Sequence, residues 1–248
     1  MASSIAMNLQ NKVHAASNLS AAPNTQMHPV YERLRKHFSY FAPNKSFPIY
    51  MENAGASLCP NVVIDSMANY MRSMYVQIGA GYELSMRAKE VVDSAHKFMK
   101  TFVNGDEVGE VAFGSSSSQL LKTLSHCYLN VPKEGDEVIV HEANQEANAG
   151  PWVKLAEQRG LPIKFWKLNE DFSSSFESLG RLLSTQTRIV AVAHVSNVLG
   201  EILDLERVVK FVRDEMGCKR AIVVADGVAL APSSCNRRSK MGCGLVCL

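Results

Sequence analysis

The chain has no surplus of either charge. Its 248 residues carry 26 Lys and Arg against 24 Asp and Glu, a formal net charge of +2. That balance excludes an electrostatic case for nucleic acid or an anionic membrane as the main partner. No uninterrupted apolar run approaches the ~20 residues of a membrane-spanning helix. A composition of 46% hydrophobic and 20% charged residues also excludes a mainly disordered or fibrous chain. None of the six cysteines (Cys59, Cys127, Cys218, Cys235, Cys243 and Cys247) belongs to a CxxC pair. Three of them crowd into the last fourteen residues without His or carboxylate neighbours at zinc-site spacing, so no metal site is expected, and reduced thiols in a cytoplasmic compartment are. The first 31 residues contain no Asp or Glu and one basic residue, Lys12. They read as part of a flexible N-terminal arm over residues 1–45. An organelle transit peptide is the alternative, although the arginines of such peptides are missing.

What is present is a rhythm. Pro60 introduces a helix to about Met74, and the stretch Gly79-Ala80-Gly81-Tyr82 leads into a second, with Ala88, Val91, Val92, Ala95, Phe98 and Met99 at helical spacing. Short apolar runs then alternate with helical patterns. Val111-Ala112-Phe113 reads as a strand before a helix containing Leu120, Leu121 and Leu124. Residues 137–140 read as a strand, 151–158 as a helix and 163–168 as a strand, with a further element over 176–183. Residues 188–193 and 221–225 are nearly all apolar, as strands buried on both faces are. The expected fold is α/β: a mostly parallel sheet with helices on both faces.

Ligands of such sheets bind at the carboxyl ends of the strands, and three ends carry unusual polar residues. In Phe113-Gly114-Ser115-Ser116-Ser117-Ser118 the glycine permits close approach, and hydroxyls with free N–H groups at a helix start make a phosphate cradle; a plain serine N-cap needs only one of those hydroxyls. In His194-Val195-Ser196-Asn197-Val198-Leu199-Gly200, Asn197 is either a hydrogen-bond donor to a ligand or part of a Ser/Asn/Gly turn. In Val223-Val224-Ala225-Asp226-Gly227, a carboxylate ends a buried strand, where desolvation demands a positive partner: a cation, a protonated ring nitrogen, an arginine, or else a helix cap.

Other nucleophile and nucleotide chemistries find no support. No Gly-Lys-Ser/Thr follows the serines, the Gly-x-Gly pairs at 79–81 and 242–244 lack a third glycine, and no G-x-S-x-G elbow occurs. A phosphate cradle, an amide and a lone buried carboxylate suit a phosphorylated, protonatable aromatic ring. Pyridoxal phosphate is such a ring.

In order and spacing these segments resemble class V aminotransferases of the cysteine desulfurase-like type, which are fold-type I pyridoxal phosphate enzymes. The resemblance covers about residues 50–232 and rests on Asn53-Ala54-Gly55-Ala56, Gly114-Ser115-Ser116, Ala147-Asn148-Ala149-Gly150-Pro151-Trp152, residues 194–200, and Ala225-Asp226-Gly227-Val228-Ala229-Leu230-Ala231-Pro232. It implies a partial cofactor-binding large domain over residues 46–232, followed by a divergent tail over 233–248. It implies Ser115 and Ser116 as phosphate ligands, Asn197 as donor to the ring's phenolic oxygen and Asp226 as partner of the pyridine nitrogen. The loop at residues 53–57 resembles the segment lining the substrate side. Where the family stacks a His on the ring, an ungapped count places Gln145, with His141 four residues earlier; an amide lies over a ring but moves no proton near neutral pH. A Gln common after the Asp is replaced by Ala229.

The family's Schiff-base lysine lies further beyond the Asp than Leu248. Lys240, in Arg237-Arg238-Ser239-Lys240, comes too early and reads as a solvated basic turn. Catalytic residues are therefore expected to be absent from the chain, and the cofactor to have no covalent anchor. The resemblance also implies a seven-stranded sheet in which the last two strands lie between the first strand, Val111-Ala112-Phe113, and the rest, so that ending at Leu248 leaves an open apolar edge. Its functional implication is a pyridoxal phosphate-dependent protein acting on an amino acid, with a homodimer as the family's assembly. The alternative is a non-catalytic binding or regulatory protein that pairs with a full-length homologous subunit.

Overall fold

A computed structural model describes residues 28–43, 48–103, 109–230 and 245–247, which fall into two compact units. The first holds α1 (Pro29–Arg35), a 3-10 turn (Ser39–Phe41) and α2 (Asn61–Ser73) up to Arg72. Pro29 opens α1 at a position whose N–H has no intrahelical partner in any helix. Asn61 Oδ1 accepts from both the Ser39 N–H (2.8 Å) and the Ser39 hydroxyl (2.6 Å). Lys240 and Pro232 lie outside the described residues.

The second unit contains α3 (Glu83–Phe102), α4 (Ser117–Cys127), α5 (Glu146–Arg159), α6 (Phe176–Leu182) and α7 (Leu205–Lys210), which runs on into a π-turn (Phe211–Glu215). Its strands are β1 (Glu137–His141), β2 (Ile163–Trp166), β3 (Thr187–Ala193), β4 (Ile222–Asp226) and β5 (Leu245–Cys247). They form one parallel sheet in the order β2-β1-β3-β4-β5. Alternation sorts their side chains onto two faces. Val138, Val140, Ile189, Ala191 and Val224 pack with Leu121 of α4 and Trp152, Leu155 and Ala156 of α5. Ile139, Val190, Val192, Val223 and Ala225 pack with Leu179 of α6 and with Leu205, Val208 and Val209 of α7. The expected parallel sheet with helices on both faces is what forms.

Two expectations need correction, and one strand pairing was not foreseen. Val111-Ala112-Phe113 is not a strand: Ala112 and Phe113 are exposed, and the Phe113 ring meets His96 of α3 edge-on at 4.5 Å. An apolar triplet becomes a strand only where a sheet edge accepts its backbone. Along β4 runs β5, with Val224, Ala225 and Asp226 opposite Leu245, Val246 and Cys247, and the sheet order ends at β5. Finally, α5 begins at Glu146 rather than at Pro151, since a proline early in a helix still leaves most of the ladder intact. Among the described residues no helix is long and apolar enough to cross a membrane.

Candidate functional site

Chain direction brings the polar segments to one end of the sheet. α4 passes into β1 through residues 128–136, so its C terminus lies at the strands' amino ends and its N terminus, with Ser115 and Ser116, at their carboxyl ends. α5 leaves the carboxyl end of β1, which places Gln145 at the same level. Asp226 closes β4 opposite Ala193 of β3, and the Asp226 carbonyl accepts from the His194 N–H at 2.8 Å. Asp226 lies two residues beyond Val224 and so faces the α4/α5 side of the sheet.

Ser116 caps α4: its Oγ accepts from the Gln119 N–H at 3.2 Å, which leaves its own O–H free to donate. Ser115 is exposed beside it. A Cβ at Gly114 would lie 2.6 Å from Leu120 Cδ2, so any other residue there would have to displace the Leu120 side chain. Gln145 caps α5, its Oε1 accepting from the Ala147 N–H at 3.1 Å. Asn197 sits exposed at the tip of a hairpin in which Val195 and Ile202 form an antiparallel bridge. Gly200, at φ +72°, closes that turn in a region that strains other residues. The loop at residues 53–57 is exposed, and Gly55 and Ala56 both donate to the Glu52 carbonyl.

Asp226 is 8% exposed. Burial pushes its carboxyl above the ordinary value, opposed by the Val228 N–H, which donates to Oδ1 at 3.0 Å. Among the described residues no cation pairs with it. The adjoining His194 is held below its ordinary value by burial, with Asp204 pulling the other way.

For two residues named in the sequence the packed surroundings were not legible. Asn148, fully buried, donates to Asn144 Oδ1 and to the Val192 carbonyl (both 3.1 Å) and accepts from Trp152 Nε1 at 3.2 Å. The Ala-Asn-Ala-Gly-Pro-Trp motif thus locks α5 onto β3. His141 follows the alternation of Ile139 and faces the α6/α7 side, away from Asp226. Its ring lies 4.3 Å from that of Trp166, and its Nε2 meets Ser174 Oγ at 3.0 Å. The Ser174 N–H and hydroxyl both donate to Glu201, at 2.7 and 2.8 Å. A His at 141 was legible; its face was not.

The parallel sheet and its polar carboxyl end define a ligand-binding α/β domain of the kind that carries cofactor chemistry. The family model for aminotransferase class-V matches residues 49–247, and the chain belongs to that family, which is pyridoxal phosphate-dependent. It is 30% identical over 200 residues to the aminotransferase-like protein FGM3 of Gibberella zeae, covering 78% of this chain and 48% of that protein. It is 28% identical to a probable cysteine desulfurase of Borreliella burgdorferi, covering 85% of this chain and 50% of that one. The chain spans about half the length of the curated relatives it matches. Among solved structures it matches the cysteine desulfurase CsdA of Escherichia coli with a TM-score of 0.70 at 21% identity, over 88% of this chain and 53% of that one. The apo cysteine desulfurase of Thermococcus onnurineus NA1 matches with a TM-score of 0.70 at 25% identity, over 82% and 48%.

The donor set fits the family's cofactor. A buried carboxylate without a cation suits a protonated ring nitrogen, and hydroxyl and N–H donors at the start of an 11-residue helix suit a phosphate.

Proposed function

We propose that the chain is the cofactor-binding part of a cysteine desulfurase-like class V aminotransferase acting on an amino acid. Ser115 and Ser116 would hold the phosphate, Asn197 would donate to the ring oxygen, Gln145 would lie over the ring and Asp226 would keep the ring nitrogen protonated. The bound cofactor supplies an electron sink for bonds at the substrate's α-carbon. The observation that carries the reading is Asp226, buried and raised with no cation partner among the described residues. The amino-acid substrate and a homodimeric assembly come from the family resemblance. Cys218 is no candidate nucleophile for sulfur chemistry: it is buried, its thiol is pushed up by that burial, and it donates to the Ser184 carbonyl at 3.1 Å. Residues 1–248 are proposed to hold the cofactor without a covalent bond and to be inactive by themselves.

Asp226→Asn tests the reading. The carboxyl's value is raised by folding, so the folded state binds its proton more readily than the unfolded chain. The ionised form therefore costs stability, and that cost grows as pH rises above the ordinary carboxyl range and through the raised value. Removing the charge is expected to raise the stability of the unliganded chain above the carboxyl range while weakening pyridoxal phosphate binding at least ~10-fold. Calorimetric titration and thermal melts of both forms measure this. Equal affinity for the cofactor in both forms refutes the role of Asp226. A borohydride-reduced adduct mapped to Lys240 refutes non-covalent binding.

A further inference from the structure

We propose that Glu201 and Ser174, backed by His141, are positioning residues that hold the hairpin at residues 195–202, and with it Asn197, in place at the carboxyl end of β3. The inference rests on the role given to Asn197 above and adds the device that aims it.

The hairpin has little else to fix it. Its internal bonds, Ser196 N–H to the Glu201 carbonyl (3.0 Å) and Gly200 N–H to the Ser196 carbonyl (2.9 Å), shape the turn but do not orient it. Val198 and Ile202 are 65% and 67% exposed, and Val195 and Leu199 are only half-buried, so burial of apolar surface holds it weakly. Among the described residues, the hydrogen bonds that join residues 195–202 to another element are the two that Ser174 donates to Glu201, at 2.7 Å from its N–H and 2.8 Å from its hydroxyl. Both are charge-assisted, the stronger class of hydrogen bond.

Ser174 is itself held from behind. Its hydroxyl has one hydrogen, already given to Glu201, so in the 3.0 Å contact His141 Nε2 is the donor. The proton on Nε2 leaves Nδ1 as the bare nitrogen, and Nδ1 is buried without a partner. His141 ends β1, is 2% exposed and lies against Trp166. A rigid ring on a central strand therefore backs a hydroxyl, and the hydroxyl holds the carboxylate of the hairpin. His141 lies on the sheet face opposite Asp226, and Ser174 and Glu201 meet on that His141 side, so the three act on a ligand through the hairpin. A side-chain amide must be aimed closely to donate to a ring oxygen, and an untethered turn spreads its positions.

Hydrogen exchange at the Ser196, Gly200 and Leu203 amides, read without cofactor, tests the anchoring. Glu201→Ala and Ser174→Ala are expected to speed exchange at these amides about tenfold, with β1 and β3 amides unchanged. Ser174→Thr, which keeps the hydroxyl, is expected to restore the slow rates. Should Glu201→Ala not fold, Ser174→Ala carries this arm, since it keeps the bond from the Ser174 N–H. In the second arm, Ser174→Ala weakens pyridoxal phosphate binding about fivefold to tenfold, yet leaves unchanged the affinity for an analogue lacking the ring hydroxyl. Hairpin amides that exchange at the parent rate in the alanine variants overturn the proposal. So does an equal loss of affinity for cofactor and analogue. If the unsubstituted chain takes up no pyridoxal phosphate, the reading of Asn197 fails, and the exchange arm still decides whether Ser174 and Glu201 anchor the hairpin.

Discussion

Burial lowers the pKa of His141 to about 4 from 6.5, against smaller upward pulls from Glu201 and Glu142. Above pH 6.5 the ring is neutral in folded and unfolded chains, and its titration does not affect stability. Between 6.5 and about 4 only the unfolded chain takes up the proton, so stability falls as pH falls through that window, by on the order of 3 kcal/mol in all. Below it the loss levels off. His141→Phe keeps a ring against Trp166 and removes the titration. Its melting temperature should depend less on pH across the window than that of the parent; parallel profiles would show that the imidazole is not buried neutral. The residue type at 141 was plain in the sequence, as were Ser115, Ser116, Gln145, Asn197 and Asp226. Which of these titrates abnormally depends on burial, and burial belongs to the packed structure.

At the level of elements, the helix after β1 shows how a motif can be legible without its purpose being so. Residues 147–152 carry part of the family resemblance, yet in the structure Asn148 serves packing, joining Asn144, the Val192 carbonyl and Trp152. Asn148→Ala leaves the indole N–H of Trp152, itself fully buried, without its partner. The expected cost is about 3 kcal/mol, seen as a lower denaturant midpoint with an unchanged slope; a loss below ~0.5 kcal/mol would mean that water replaces the amide. Strands β1, β3 and β4 could be read because apolar runs bounded by turn residues are local patterns. Val111-Ala112-Phe113 has the same local pattern and makes no strand. Strand formation needs a neighbour, and the neighbour of the β4 edge is β5.

For the whole molecule, the proposed cofactor and the stability of the sheet are linked, since a ligand that binds only the folded chain stabilises it. Pyridoxal phosphate at ~100 times its dissociation constant adds about 2.7 kcal/mol. That corresponds to a melting temperature raised by roughly 5–10 °C in a chain of this size. Differential scanning calorimetry reads the shift; its absence at saturating cofactor would mean that the carboxyl ends of the strands do not form the site. By itself the sequence determined the α/β class, the parallel sheet covered on both faces and the polar residues at the strand ends. Those follow from the period of apolar residues and the chemistry of short turns, both written over a few consecutive positions. Only the tertiary structure decided that His141 faces away from Asp226, that Ser174 meets it across 33 positions and Glu201 across 27, and that β5 takes the edge of β4. Such pairings depend on which distant segments the packing brings together, and a local pattern does not encode that.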